Sequence, residues 1–334
     1  MDPQAALKEW MAGRSLSVEQ SYGLIQHIVS GEVADGLIGG LLVASVSKGF
    51  AASEIAGFAT FMRESAVSVP HALEGVIDTC GTGGGPATLN LSTGAAIIAA
   101  SAGAKVAKHG NRSVTSKCGS ADVLEASGVA IDLSPERQAA ALEEVGLAFL
   151  FAPIMHPAMA KVGPVRRSLG VRTLFNVLGP LTNPARATRQ LMGVYDPALV
   201  QPVAEALSML GSQHAFVVHA NDGYDEVSSY CPTQYIEVKD GQIRPGSWQP
   251  SDFGVADSLP TEWLDPGDSV SESARRLQDT LANPDRAEIM VPNAAVALVV
   301  GGLADDVRAG AALARAAVRE GRASAKMAEI IKFR

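Results

Sequence analysis

The sequence predicts an α/β protein in which a small N-terminal helical domain is followed by a larger α/β domain with a central, mostly parallel sheet. Up to about residue 73, apolar residues recur only at helical spacing. From Val76 onward, short apolar runs of the strand type alternate with helical segments. This alternation is typical of βα units, whose strands pair in parallel.

The N-terminal helices are predicted mainly from their ends. Ser17 and Gln20 have the spacing of a capping box, and Gly31 is placed to end the helix that begins there. Two further helices are predicted at about 34–47 and 53–66, where glycine and proline mark the boundaries. These helices form the small domain.

Strands and helices alternate in the rest of the chain. The predicted strands are residues 76–78, 105–107, 129–131, 148–151, 190–195 and 215–219. The predicted helices are residues 92–102, 120–127, 134–145 and 158–175, with an Ala-rich helical tail from residue 271. A hairpin over residues 235–243 is predicted from Asp240-Gly241, a pair that favours a two-residue turn.

Composition excludes several classes of function. The chain has 334 residues, a net charge of −8 and only 5% aromatic residues, so it has no general attraction for nucleic acid or anionic membranes. Three cysteines without Cys-x-x-Cys spacing argue against a disulfide framework and structural zinc, and indicate a cytoplasmic protein. We expect neither a signal peptide nor a membrane span.

A glycine-rich loop is the first candidate for chemistry. Gly81-Thr82-Gly83-Gly84-Gly85 follows the strand at 76–78, and a helix begins near Ser92. Glycines let backbone N–H groups approach an anion, and the helix N-terminus adds further N–H groups. The loop lacks the Gly-Lys-Ser/Thr ending of a P-loop and the spacing of a dinucleotide site. Taken alone, it is equally well explained as a tight turn.

Two further loops carry charge at strand ends. Residues 108–120 combine cations, hydroxyls and a helix cap, a mixture that suits a polyphosphate, although a lone basic loop is usually only solvated. Asp225 and Glu226 follow another strand and could hold Mg²⁺ together with phosphates, although acidic turns are common. Because strand ends converge on one crevice in α/β sheets, we expect the loops to lie together.

The stretch of residues 165–173 contains three arginines, Arg166, Arg167 and Arg172. They could form a solvated face, or one of them could point into a cleft and pair with a carboxylate. Spacing alone does not distinguish these alternatives.

The motifs taken together resemble the anthranilate phosphoribosyltransferase family over nearly the whole chain. The matching stretches are DTCGTGG at 78–84, NLST at 90–93, KHGNRSVTSKCGSADVLEASG at 108–128, HPAM at 156–159, VRRSLGVRTLFNVLGPLTNPA at 165–185 and DEVS at 225–228. The resemblance implies a nucleoside phosphorylase/phosphoribosyltransferase-like fold. The helical domain would comprise residues 1–73 with 158–185 returning to it, and the α/β domain residues 74–157 and 186–334. Members are usually homodimers through the helical domain.

The resemblance also implies an activity. The phosphoribosyl group of 5-phosphoribosyl 1-pyrophosphate would pass to the amine of anthranilate, giving N-(5-phosphoribosyl)anthranilate and pyrophosphate in tryptophan biosynthesis. Mg²⁺ would be required, and neither nucleic acid nor a membrane would be a partner.

Site residues follow from the resemblance position by position. The donor would contact Gly81, Thr82, Gly83, Gly84, Gly85, Thr88, Asn90, Leu91, Ser92, Thr93, Lys108, His109, Gly110, Asn111, Arg112, Ser113, Ser116 and Ser120. Anthranilate would contact Gly81, His109, Asn111, Arg166 and Pro180. Lys108 and Arg166 would be the catalytic residues, and Ser92, Asp225 and Glu226 would hold Mg²⁺.

The chain departs from the family pattern at one position. The family commonly has Gly-Thr-Gly-Gly-Asp, whereas Gly85 followed by Pro86 stands here, in a loop that is one residue shorter. Two alternatives therefore remain beside the anthranilate enzyme. One is a related transferase with another aromatic acceptor or a nucleoside phosphorylase, which Asn111 and Arg166 disfavour. The other is a non-catalytic, nucleic-acid-binding paralogue, which the negative charge disfavours.

Overall fold

A computed structural model describes residues 1–113, 118–256 and 259–334. The strands are β1 (Ile77–Asp78), β2 (Val106–Gly110), β3 (Leu147–Phe151), β4 (Arg189–Gly193), β5 (His214–Ala220), β6 (Thr233–Lys239) and β7 (Gln242–Trp248). The helices are α1 (Pro3–Met11), α2 (Val18–Ser30), α3 (Asp35–Lys48), α4 (Ala52–Ser65), α5 (Leu91–Ser101), α6 (Ser120–Ala126), α7 (Pro135–Glu144), α8 (Ala152–Met155), α9 (Gly163–Leu169), α10 (Leu174–Leu178), α11 (Val200–Met209), α12 (Val270–Ala282), α13 (Val291–Val300), α14 (Val307–Arg319) and α15 (Arg322–Lys332).

The strands form one sheet in the order β3-β2-β1-β4-β5-β6-β7. The first five strands of that order are parallel, and β6 and β7 are antiparallel to their neighbours. From β1 the chain runs outward through β2 and β3, then returns to the other side of β1 with β4. The strand order reverses at β1, which is where ligands bind in open α/β sheets. The predicted fold class is confirmed.

Helices cover both faces of the sheet. On one face α5, α13, α14 and α15 pack on one another over an Ala-rich core. On the other face α11 packs on β5 and β6, and its apolar cluster continues into α1–α4, α9 and α10. The crossover segment with α9 and α10 therefore packs with the N-terminal helices, beside the end of β4. The exact domain limits predicted from the resemblance stay a prediction.

Several local features explain where elements begin and end. Gln20 N–H donates to Ser17 Oγ at 3.2 Å and Ser17 N–H donates to Gln20 Oε1 at 2.8 Å, so the predicted capping box of α2 is present. Asp240 and Gly241 both have positive φ, 50° and 76°, as the predicted hairpin turn requires. The hairpin is longer than predicted, because β6 and β7 extend to Thr233 and Trp248.

Two local predictions were wrong, and the helices α1, α8 and α11 were not predicted. Residues 129–131 form no strand, although Val129 and Ile131 are buried in the core. The helix predicted at 158–175 is broken, because Gly170 ends α9 in the left-handed conformation (φ 64°). Of the helices not predicted, α1 buries few residues, and Asp2 is its N-cap, whose carboxylate accepts from Ala5 N–H at 2.8 Å. Among the described residues, no helix is both long and apolar enough to cross a bilayer.

Candidate active site

The glycine loop (residues 79–90) joins β1 to α5 and is fastened to the end of β4. Thr82 N–H donates to Gly193 O at 2.8 Å, and Tyr195 N–H donates to Thr82 Oγ1 at 3.0 Å. Gly83 and Gly84 have positive φ, 65° and 94°, which other residues rarely adopt. The loop therefore lies over the crevice between β1 and β4.

The carboxylate of Asp225 fills the inner side of this loop. A Cβ added to Gly85 would lie 2.8 Å from Asp225 Oδ1, and one added to Gly81 would lie 3.2 Å from Oδ2. A Cβ on Gly193 would lie 1.7 Å from the Asp225 carbonyl oxygen. The N–H groups of Gly83 and Gly85 favour the charged carboxylate, although burial has the larger effect and raises the pKa of Asp225. The packing explains Gly85: a second carboxylate does not fit there while Asp225 holds this position.

Ser92, Lys108 and Glu226 meet next to Asp225. Ser92 N–H donates to Glu226 Oε1 at 3.2 Å. The ammonium of Lys108, a buried residue in the middle of β2, donates to Ser92 Oγ at 3.3 Å and to Thr79 Oγ1 at 3.2 Å. Burial, and then the charge of Asp225, raise the pKa of Glu226 to about 8. The ends of β1, β2 and β5 thus bring the predicted phosphate and metal residues together.

This group of oxygens fits a magnesium ion. Two carboxylates and the Ser92 hydroxyl are ligands that Mg²⁺ prefers. The raised pKa values of Asp225 and Glu226 mean that their negative charge is poorly compensated, which a divalent cation would correct. Within the described ranges no cluster of three or more His, Cys, Asp or Glu residues could hold a metal. A cation here would therefore need additional oxygens from a bound ligand.

Asp78 connects the glycine loop to β2 and to the crossover segment. Its Oδ1 accepts from Cys80 N–H at 3.0 Å and from His109 N–H at 3.2 Å. Its Oδ2 accepts from Asn183 Nδ2 at 2.7 Å. Burial raises the pKa of Asp78 to about 6. Sequence reasoning gave no role to Asp78 or Asn183, although an acidic residue in a buried strand was a usable signal.

His109 and His156 form an uncharged pair beside Pro180. Their ring centroids are 5.0 Å apart, and burial lowers the pKa of His109 to about 3 and that of His156 to about 4. His109 Nδ1 is 2.9 Å from Gly179 O, so the neutral ring donates there and keeps Nε2 as an acceptor. His109 Nε2 and both ring nitrogens of His156 are buried without a partner in the described structure. Sequence reasoning gave His156 no role beyond the HPAM stretch; with His109 it leaves three buried ring nitrogens whose hydrogen-bonding capacity is unused in the described structure.

Arg166 lies on α9 with its guanidinium 5.4 Å from the centre of the Phe175 ring. Burial lowers the pKa of Arg166. Across residues 1–113, 118–256 and 259–334, no hydrogen bond or ion pair engages this guanidinium. A partly desolvated, unpaired arginine suits a carboxylate ligand.

In the loop after β2, some of the residues predicted to bind phosphate are already paired with other groups of the protein. Asn111 is exposed, and its carbonyl oxygen accepts from Ala121 N–H at 3.2 Å and from Ser120 Oγ at 3.4 Å. The Arg112 guanidinium pairs with Asp122 at 3.0 Å and Glu125 at 2.7 Å, so its charge is already compensated. Ser113 N–H donates to Asp122 Oδ2 at 3.0 Å. Ser116 lies outside the described residues.

The remaining positions surround the start of α5 and β2. Asn90 Nδ2 donates to Cys118 O at 3.4 Å, while its Oδ1 is buried without a partner in the described structure, as is Thr93 Oγ1. Leu91 is buried in the core, so only its backbone could contact a ligand, and Thr88 is half-buried. Gly110 is required by close packing, because an added Cβ would lie 2.3 Å from Ser120 Oγ.

Arg172 was not assigned a role from the sequence, yet it contacts the glycine loop. Its Nη2 donates to Gly84 O, and its guanidinium carbon lies 4.4 Å from the centre of the Tyr195 ring.

Comparison with known proteins identifies the family. Residues 73–324 match the family described as "Glycosyl transferase family, a/b domain", and residues 4–66 match its helical bundle domain. The chain is 45% identical to the anthranilate phosphoribosyltransferase of Clostridium kluyveri and 46% identical to that of Methanocorpusculum labreanum, covering 98% and 96% of those proteins and 98% and 97% of this chain.

Solved structures agree with this result. The anthranilate phosphoribosyltransferase of Thermus thermophilus matches with a TM-score of 0.91 and 39% identity over 98% of both chains. The Saccharomyces cerevisiae enzyme in complex with PRPP and Mg matches with a TM-score of 0.87 and 25% identity over 98% of this chain and 96% of that one. The chain therefore belongs to the anthranilate phosphoribosyltransferase family.

Proposed function

We propose that this chain transfers the phosphoribosyl group of 5-phosphoribosyl 1-pyrophosphate to the amine of anthranilate, with release of pyrophosphate, in tryptophan biosynthesis. The main support is the meeting of a glycine loop, a buried Lys108 and the oxygens of Ser92, Asp225 and Glu226 at one edge of the sheet. The yeast relative with PRPP and Mg bound has the same fold. The unpaired Arg166 supplies the partner for the acceptor's carboxylate.

The donor would lie along the glycine loop and Lys108. Asp225 occupies the inner side of the loop, close to Gly81 and Gly85, so phosphate oxygens bound there would have to displace that carboxylate. Lys108 and these amides stabilise the charge that grows on the departing pyrophosphate. Mg²⁺, held by Ser92, Asp225 and Glu226, would supply further neutralisation of the phosphate oxygens.

The acceptor would be oriented rather than deprotonated. An aromatic amine is neutral at pH 7, so the reaction needs no strong base before attack at ribose C1. His109 and His156 are neutral and offer acceptor nitrogens to the amine protons. Arg166 would fix the carboxylate, and holding the amine near C1 supplies much of the rate acceleration. His109, Asn111 and Pro180 would line the approach.

The limits of the domains and the assembly are part of the proposal. We infer a helical domain of residues 1–73 with 158–185, an α/β domain of residues 74–157 and 186–334, and a homodimer through the helical domain. Exposed apolar side chains on α1 and α3, which include Met11, Val43 and Val46, support that interface. The free Cys80, Cys118 and Cys231 are compatible with a cytoplasmic protein. Light scattering of the purified chain tests the dimer.

Pyrophosphate release measured by a coupled assay tests the activity. We expect release only when anthranilate, the phosphoribosyl donor and Mg²⁺ are all present. Aniline, 4-aminobenzoate and free nucleobases serve as alternative acceptors, and inorganic phosphate replaces pyrophosphate in the reverse assay. A folded sample that turns over none of these, or that accepts aniline as well as anthranilate, contradicts the proposal. Salt-dependent DNA binding without turnover would favour the paralogue instead.

A further inference from the structure

Arg172 joins the crossover segment to the glycine loop. It follows α9, which carries Arg166, and Gly170 makes the bend between them. Its Nη2 donates to Gly84 O. A Cβ added to Gly84 would lie 2.8 Å from the Arg172 guanidinium carbon, so the guanidinium rests directly on the loop backbone. The contact exists because position 84 has no side chain.

Tyr195 holds this arginine in place from the sheet. Its ring centre is 4.4 Å from the guanidinium carbon, within the range of a cation–π contact. The Tyr195 N–H donates to Thr82 Oγ1 at 3.0 Å, so the same residue also fastens the loop. Arg172, Tyr195, Thr82 and Gly84 therefore form one connected contact between the crossover, the end of β4 and the loop.

This contact determines which way a peptide group faces. The carbonyl of Gly84 and the N–H of Gly85 belong to one trans peptide, so they point in opposite directions. With the carbonyl on Arg172, the N–H points to the opposite, inner side, where Asp225 lies close to Gly85: its Oδ1 would be 2.8 Å from a Cβ added at position 85. That inner position is the one a phosphate of the donor would take under the proposed function. Rotation of the peptide would present a carbonyl oxygen to the phosphate and repel it.

We propose that Arg172 is a positioning residue for the donor. Arg172 holds the peptide between residues 84 and 85 so that the Gly85 N–H points toward the bound phosphate. Arg172 also links this orientation of the peptide to the position of α9, the helix that carries Arg166. Binding of the pyrophosphate group therefore favours the position of Arg166 that binds the acceptor. By linkage, the acceptor favours donor binding by the same factor. The inference rests on the proposed function for the identity of the ligands.

Calorimetric titration tests this with magnesium pyrophosphate as the probe. Arg172→Gln removes the charged guanidinium but leaves a polar side chain. Arg172→Lys keeps a charged hydrogen-bond donor for Gly84 O but cannot stack on the Tyr195 ring. Arg167→Gln is the matched control, because Arg167 is exposed on the same segment and makes no contact with the glycine loop. We expect Arg172→Gln to weaken pyrophosphate binding about tenfold or more, Arg172→Lys to weaken it less, and Arg167→Gln to leave it within about twofold.

The coupling between ligands is the second readout. Anthranilate affinity is measured with and without saturating magnesium pyrophosphate. In the unchanged protein pyrophosphate should tighten anthranilate binding, and in Arg172→Gln the ratio of the two affinities should fall toward one. Tyr195→Phe keeps the ring and should behave like the unchanged protein, whereas Tyr195→Leu should lose part of the coupling.

Two outcomes overturn the proposal. One is equal pyrophosphate binding by Arg172→Gln and Arg167→Gln, and the other is an unchanged coupling ratio in Arg172→Gln. These outcomes can be distinguished from an error in the proposed function. If the proposed function is wrong but the role of Arg172 is right, the chain lacks transferase activity, yet Arg172→Gln still binds magnesium pyrophosphate more weakly than Arg167→Gln.

Discussion

Replacing Arg166 with glutamine removes a guanidinium that is partly desolvated and has no acidic partner among the described residues. A carboxylate held by two charge-assisted hydrogen bonds gains about 3 to 4 kcal/mol, which corresponds to roughly 100- to 1,000-fold in affinity. Because folding has already removed part of the water from this arginine, pairing with a ligand requires little further desolvation. We therefore expect kcat/KM for anthranilate to fall by about that factor.

Steady-state kinetics with each substrate varied in turn measure this effect. The KM of the phosphoribosyl donor should change less than about threefold, since the Arg166 guanidinium lies against Phe175 and shares no hydrogen bond or ion pair with the glycine loop among the described residues. Arg166→Lys should recover part of the loss, because an ammonium keeps the charge but not the bidentate geometry. Arg167→Gln, an exposed neighbour, should behave like the unchanged protein. Equal losses for donor and acceptor in Arg166→Gln would refute the reasoning.

The other predictions concern the carboxylates and the close-packed glycines. Asp225→Asn keeps the shape of the side chain but removes its charge, so the Mg²⁺ concentration that gives half-maximal pyrophosphate binding should rise about tenfold or more. An unchanged Mg²⁺ concentration would show that Asp225 is not a metal ligand. Gly193→Ala places a Cβ 1.7 Å from the Asp225 carbonyl oxygen and should lower the free energy of unfolding in urea by about 2 to 3 kcal/mol, a loss that full native stability would contradict. Glu54→Ala removes the buried partner of Lys48 Nζ (2.8 Å) and Trp10 Nε1 (2.6 Å), and should cost about 3 to 5 kcal/mol, with Glu54→Gln milder. Folding raises the pKa of Asp78 from 3.8 to about 6, so ionisation of this carboxyl group opposes folding. Its contribution to the free energy of unfolding is fully present below pH 3.8 and is lost as the pH rises through 6, a decrease of about 3 kcal/mol. Urea unfolding of Asp78→Asn between about pH 3 and 7, the range that brackets the two pKa values, should lack this slope.

Much of the fold could be predicted because local patterns and tertiary packing agree. The Asp240-Gly241 turn and the Ser17 cap were predicted correctly because their signals lie within a few residues. Residues 129–131 misled the prediction because a short apolar run can be buried without pairing in a sheet. Helix α1 was missed because it buries only a narrow face.

The site was predictable where residues follow strand ends. Ser92, Lys108 and Glu226 lie together because the carboxyl ends of β1, β2 and β5 meet at one edge. Arg172 could not be separated from its neighbours, since its role depends on the direction of one peptide in a loop 88 residues away along the chain. The pairing of Arg112 with α6 was equally hidden, because it depends on how the loop folds back on the helix.

The packing around Asp225 limits how this sequence can vary. Gly81, Gly85 and Gly193 come from two separate segments, yet each is confined by atoms of the same aspartate. Substitutions at these four positions are therefore not independent, and their energetic effects should be strongly non-additive. Restoring the family's usual aspartate by Gly85→Asp alone would set two carboxylates against each other. A viable version of that change has to lengthen the loop or release Asp225 at the same time, so the length of the loop and the glycine at position 85 can change only together.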